Sequence, residues 1–294
     1  MPLVTHTDDP LETLRLEDET TGARVSLAPA RGGMATRFVV GDAPVLFLDD
    51  ATLHDPTKNV RGGIPVLFPM AGPLPGDRYL VGGREYAMKQ HGFARNLPWS
   101  VVDESSTDGA SVTLALDASN ETRAHYPFEF ALRFTYRLRG ETLSLTQRVE
   151  NHGDVPMPIA PGLHPYFHVP NATKSEARVD TDATRAHDNV TGREVALTLP
   201  IALADREVDL ALLDHRPRHT VLHRPGLPGV RLGFGDDQTL LVVWTVPGRD
   251  FVCVEPWRGG LGAFARGTAA VVAPGDHAET TLTITSQNIV PSST

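Results

Sequence analysis

The sequence predicts an all-β protein whose short antiparallel strands close into a sandwich or barrel, and three observations carry this. Short alternating or β-branched apolar runs recur along the chain. The 26 Gly and 24 Pro among 294 residues punctuate those runs with turns. Few windows between turns are long enough for a helix.

In chain order, strands are expected at 24–28, 37–40, 111–116, 128–138, 142–149, 230–234, 239–245, 269–272 and 280–285. One short helix is expected at 203–213. Residues 49–99 and 171–200 fit the strand rhythm least, and segments of that length in a compact domain usually pack over a site. No repeat of fixed period and no low-complexity linker occurs. All-β proteins of this length are often one unit, so residues 10–288 read as a single domain, with 1–9 and 289–294 as flexible termini.

Bulk composition narrows the function classes. A hydrophobic fraction of 40% with 21% charged residues is that of a soluble globular protein. The net charge of −9, with both signs interspersed, lacks the basic stripes that nucleic-acid binders need. The single cysteine, Cys253, excludes an internal disulfide and a cysteine-based zinc cluster, and between Val252 and Val254 it reads as a buried structural thiol. The N-terminus carries no basic region followed by an apolar core, and no run approaches ~18 apolar residues. The reading is a cytoplasmic protein with neither nucleic-acid nor membrane partners.

Three segments carry chemistry. In Phe-Val-Cys-Val-Glu-Pro-Trp (residues 251–257), Phe251, Cys253 and Glu255 share one face of an extended strand. Phe and Cys prefer the interior, so Glu255 points inward or into a cleft, where desolvation makes a carboxylate a base near neutral pH. The alternative is a Glu exposed where Pro256 ends the strand. In Gly-Leu-His-Pro-Tyr-Phe-His (162–168), Pro165 forces an extended backbone at His164. This breaks the helical spacing that a zinc pair of His164 and His168 would need and lines up His164, Tyr166 and His168 on one face. His164 is then either a proton donor or a core histidine. His91, beside Gly92 and four residues before Arg95, offers a second donor to an oxygen-rich ligand, again with a structural role as the alternative.

Residues 61–69 (Arg-Gly-Gly-Ile-Pro-Val-Leu-Phe-Pro) lack the Gly-Lys-Ser/Thr ending of a phosphate loop, but Arg61 before two glycines can reach a ligand oxygen. Asp209 and Asp214 can bind sugar hydroxyls or serve as caps and surface charges. There is no Gly-x-Ser-x-Gly elbow and no activated nucleophile, which argues against a hydrolase with a covalent intermediate.

Residues 61–69, 90–99 (Gln-His-Gly-Phe-Ala-Arg-Asn-Leu-Pro-Trp), 162–167 and 252–257, taken in this order, resemble the aldose 1-epimerase (mutarotase) family over roughly residues 12 to 286. The resemblance implies a large antiparallel β-sandwich of the galactose mutarotase type with a sugar cleft. It gives His164 the role of acid on the ring oxygen, Glu255 that of base on the anomeric hydroxyl, His91 that of donor near the ring oxygen, and Asp209 that of hydroxyl binder. Opening and reclosing the ring needs neither metal nor redox cofactor. The partner is a small sugar or sugar phosphate, and the chain itself is expected as a monomer or weak homodimer.

Residues 61–65 and 90–99 also resemble the hexose-6-phosphate mutarotases. Those hold phosphate with basic residues, for which Arg61, Lys89 and Arg95 are the nearest matches. Residues 67–72 (Leu-Phe-Pro-Met-Ala-Gly) depart from the Trp-rich segment of that group. A non-catalytic carbohydrate-binding module on the same scaffold is the rival reading, and a metal-dependent hydrolase ranks third.

Overall fold

A computed structural model describes residues 2–7, 11 and 13–287. Its strands form antiparallel sheets, as the alternation in the sequence requires. A five-stranded meander of Pro2–Thr7, Thr13–Asp18, Ala23–Ala28, Met34–Val40 and Ala43–Pro44 leads the chain. An eight-stranded sheet follows in the order Arg178–Val179, His219–His223, Gly229–Phe234, His277–Gln287, Thr142–Asn151, Phe130–Arg139, Ala110–Asp117 and Ser100–Ser105. The second large sheet runs Arg193–Ala196, Arg185–Asp188, Val208–Leu212, Leu240–Thr245, Phe251–Trp257, Gly162–Leu163 and Val66–Leu67, with Tyr166–His168 also paired to Phe251–Trp257.

Local chemistry explains the pairing. In Thr142–Asn151 every second residue is buried, the period-2 signature of a strand with one face on a core. It is joined to Phe130–Arg139 by the two-residue turn Gly140–Glu141, where Gly140 takes a positive φ of 57°. On the outer face, Thr142 and Thr285 share a 2.9 Å hydrogen bond and Thr146 and Thr281 one of 3.1 Å.

One apolar core takes side chains from all three sheets: Leu14, Val25 and Phe38 from the meander, Leu132, Leu143 and Ile284 from the first large sheet, and Leu210, Val243, Val252 and Val254 from the second. The second large sheet therefore spends one face on this core. Its opposite face carries smaller clusters, Leu67–Ala211–Leu240–Val242–Trp257 and Tyr166–Phe251–Cys253. Antiparallel sheets commonly leave one face for other uses.

All nine expected strands are present, with ends moved by a few residues. The expected helix at 203–213 is instead the strand Val208–Leu212, because that segment pairs on both sides in the middle of a sheet. Phe251–Trp257 does not stop at Glu255; Pro256 lies within the strand. Of the expected irregular N-terminus, Pro2–Thr7 pairs in register with Thr13–Asp18; residues 8–9 and 289–294 lie outside the described residues. Among the described residues no helix is long and apolar enough to cross a membrane.

A buried arginine joins the sheets. Arg224 donates to the carbonyls of Pro228 (2.8 Å), next to the strand Gly229–Phe234 of the first large sheet, of Pro44 (2.7 Å) in the meander and of His168 (3.1 Å) in the second large sheet. It is 3% exposed, and burial pushes its guanidinium down to about 10. Arg224→Ala orphans these carbonyls; we expect it to lower the unfolding free energy by about 3 kcal/mol, read from urea denaturation.

Candidate active site

The free face of the second large sheet floors a cavity of about 460 Å3, within the range of small-molecule sites. Its position follows from strand register. Val242 pairs with Glu255, Trp244 with Cys253, and Asp209 with Trp244, so these side chains share one face. On the other side of Phe251–Trp257, Gly162 pairs with Trp257 and Tyr166 with Cys253. Pro165 interrupts the ladder between them, yet the register on both sides is the same. His164, two residues from each partner, therefore stands directly across from Glu255.

Nε2 of His164 lies 3.4 Å from Oε1 of Glu255. Both residues are buried, with 8% and 2% exposure. Burial is the main force on each. It raises the Glu255 carboxyl well above the ordinary carboxylate range, helped by the nearby Asp209 charge and opposed by hydrogen bonding from Trp257 and the charge of Arg95. It holds His164 well below the ordinary histidine value, reinforced by His91 and Arg95. Nδ1 of His164 is buried with no hydrogen-bond partner among the described residues, and its own backbone carbonyl only partly offsets the effect of burial. Both shifts favour the uncharged form of the group concerned.

His91 occupies the opposite wall with its ring centroid 5.8 Å from that of His164. It adopts a left-handed φ of 69° and is followed by Gly92, where any Cβ would meet the Phe68 carbonyl oxygen at 2.1 Å. This close crossing of two backbones sets the ring in place. The Gly72 N–H donates to Nδ1 at 3.1 Å, so Nε2 carries the proton of the neutral imidazole. Burial, with Arg95 nearby, pushes His91 down to about 3. Burial thus favours its neutral form. The Gln90 amide stands 3.2 Å from Nε2.

Arg61 and Arg95 supply the cations of the cavity. Arg61 is exposed, lies 5.5 Å over the Trp244 ring and follows the chain into Gly62 and Gly63, where side chains would strike Leu48 and the Ala35 carbonyl. Arg95 is half-buried and donates to the Gln90 carbonyl at 3.1 Å. Asp209 also lines the cavity, half-buried, and accepts from the Asn189 amide at 2.7 Å; burial raises its carboxyl above the ordinary range.

The structure therefore brings together His91, His164, Glu255, Arg61, Arg95 and Asp209. Lys89 is exposed and outside the cavity lining. Asp214 is elsewhere, accepting from the Thr184 and Arg185 backbone N–H groups at 3.0 and 3.1 Å. Sequence reasoning missed Gln90, Asn189, Glu207, Trp244 and Trp257 as lining residues. Gln90 and Trp257 stood inside quoted motifs, while Asn189, Glu207 and Trp244 reach the site only through sheet register. The two poorly patterned segments do cover the site, contributing Arg61, Gln90, His91 and Arg95 from the first and Asn189 from the second.

Donor atoms of His164, Cys253 and Glu255 fall within 4.8 Å of one another. A cation there would need the thiolate, and burial pushes the Cys253 thiol well up. His164 and His168 do not form a helical metal pair, since Tyr166–His168 is a strand.

Comparison with known proteins bears on the family and the fold. Residues 16–285 match the family model described as aldose 1-epimerase. The chain is 35% identical over 138 residues to an Escherichia coli protein named "Putative glucose-6-phosphate 1-epimerase", a match covering 46% of this chain and 41% of that protein. A Cenchrus ciliaris protein of the same name is 31% identical over 206 residues, covering 63% and 58%. The chain thus spans about half the length of these relatives. Among solved structures, Slr1438 from Synechocystis superposes with a TM-score of 0.90 at 35% identity, covering 98% of this chain and 97% of that one. A galactose mutarotase related enzyme from Lactobacillus acidophilus superposes with a TM-score of 0.78 at 21% identity over 99% of both chains and shares the fold. The architecture is thus the galactose mutarotase-like β-sandwich, and the chain belongs to the aldose 1-epimerase family.

Proposed function

We propose that the protein interconverts the α and β anomers of an aldohexose or a hexose 6-phosphate. The observation that carries this reading is the cross-strand pair of His164 and Glu255, 3.4 Å apart at the floor of the cavity. An anomeric carbon bears two oxygens, the ring oxygen and the C1 hydroxyl. A site that works on both needs an acid and a base side by side.

Burial leaves the pair with a single proton. Moving that proton from Glu255 to His164 gives carboxylate and imidazolium without exchange with solvent, and the site becomes base and acid together. Glu255 then takes the proton of the C1 hydroxyl while His164 gives its proton to the ring oxygen. The bond from C1 to the ring oxygen breaks as the C1 carbonyl forms. Rotation about C1–C2 and reversal of both transfers yield the other anomer and restore the pair. His91, held neutral with its proton on Nε2, donates a hydrogen bond to the substrate throughout. Asp209 accepts from a sugar hydroxyl. None of these steps transfers electrons to a carrier.

The name of the Escherichia coli relative supports a phosphorylated substrate, and Arg61 and Arg95 are the cations within reach of one.

Glu255→Gln and His164→Asn should each lower kcat for anomer exchange by about 10²–10⁴-fold, followed by NMR exchange between anomers. Absence of acceleration over buffer by the parent protein for glucose, galactose and glucose 6-phosphate overturns the reading. Sugar binding by calorimetry that persists in such an inactive parent indicates a binding module instead.

Stability should carry the opposite sign. Above the ordinary carboxylate range the unfolded chain releases the Glu255 proton while the folded chain keeps it, so stability is full below that range and falls as pH rises toward the raised value. Glu255→Gln removes this loss. Its unfolding free energy relative to the parent should grow as pH rises above the ordinary carboxylate range, by at most about 1.4 kcal/mol per pH unit, read from urea denaturation.

With glucose 6-phosphate, Arg61→Ala should raise KM by about tenfold or more and leave free glucose little affected, whereas Lys89→Ala should change neither. Steady-state kinetics on the two substrates checks both.

A further inference from the structure

We propose that Trp257 is a positioning residue for the base: its indole N–H occupies one oxygen of Glu255 and so confines the exchangeable proton to the other, the oxygen that faces His164. The inference deepens the epimerase reading above and rests on it.

The geometry begins with strand parity. Glu255 and Trp257 are two residues apart on one strand and share its cavity face. Nε1 of Trp257 donates to Oε2 of Glu255 at 3.2 Å, while Oε1 is the oxygen 3.4 Å from His164. An indole N–H is a donor only. An oxygen that accepts from it has no reason to carry a proton of its own, so the carboxyl proton resides on Oε1. There it points at Nε2 of His164, the atom that must receive it, and the same oxygen is the one left to meet the C1 hydroxyl.

The indole has a slot built for it. A Cβ at Gly162 would meet Trp257 Cδ1 at 2.5 Å, and one at Gly72 would meet its Cζ3 at 3.3 Å. The His91 ring stands edge-on to Trp257 with centroids 5.7 Å apart, and the indole is only 6% exposed. The same Gly72 presents its N–H to Nδ1 of His91. One packing arrangement therefore sets the donor face of His91 and the free oxygen of Glu255 together. Besides His164, the charged and titratable groups facing Glu255 are Asp209, Arg95, Cys253 and Tyr166; Asp209 accepts from Asn189 and Arg95 donates to the Gln90 carbonyl, while Oε2 accepts from Trp257.

The test is Trp257→Phe together with replacement of Trp257 by 3-benzothienylalanine, which keeps the bicyclic shape and puts sulfur where the N–H stood. Both should lower kcat about 10- to 100-fold with KM little changed, the size expected for losing a hydrogen bond to a charged group. Both should also move the alkaline limb of the kcat/KM profile to higher pH, since the carboxylate loses its donor. The Glu255 carboxyl band in infrared difference spectra, taken against Glu255→Gln, should titrate at higher pH in the same variants. Lower kcat with an unmoved alkaline limb and an unmoved infrared titration would overturn the inference, as would full activity of the benzothienyl protein. A parent that does not accelerate anomer exchange removes the epimerase reading alone. The infrared titration still decides whether Trp257 governs the carboxyl.

Discussion

Desolvation of the His164–Glu255 pair is the constraint on which the site depends. Glu255 lies on a strand, and His164 stands across from it in the break between two short strands, on a sheet whose other face is committed to the main core. Charges buried there are costly, and burial favours the uncharged form of each member. That neutral arrangement is also the chemically useful one, because an internal proton shift makes acid and base at once. The surroundings moderate the cost without abolishing it. Arg95 and the Trp257 N–H favour the carboxylate; Asp209 opposes it.

Backbone placement does most of the remaining work. The His164 position requires a strand that stays in register through a proline, and His91 requires a left-handed residue before a glycine that another chain segment nearly touches. Neither feature tolerates much sliding. His91 and His164 have no buried acidic partner behind their rings, unlike histidines kept charged for catalysis. The His91 tautomer is instead selected by the Gly72 N–H.

Much of this was legible in the sequence, for physical reasons that differ by residue. Glu255 could be placed on an inward face because strand parity with Phe251 and Cys253 is a local rule. Pro165 declared the extended backbone at His164 because its effect on the preceding residue is steric and short-range. Alternation exposed strands such as Thr142–Asn151. What stayed hidden depends on non-local pairing. Val208–Leu212 resembles a helix segment until its two neighbours are known, and with it Asp209 and Trp244 gain their place opposite one another. Lys89 entered through its resemblance to the phosphate-binding basic residues of the hexose-6-phosphate mutarotases, but it is exposed and does not line the cavity. Residues 61–69 and 90–99 mattered less as ligand loops than as backbones that must approach closely.

Cys253 has a consequence outside catalysis. It is the only thiol in the chain, fully buried, directly across from Trp244 and Tyr166, and on the same strand face as Glu255. An alkylating reagent can reach it only when this part of the sheet opens. The labelling rate of a single sulfur atom is thus a clock for local opening beneath the cavity, and its slowing by a bound sugar would measure in time what the ligand adds to the cohesion of that sheet.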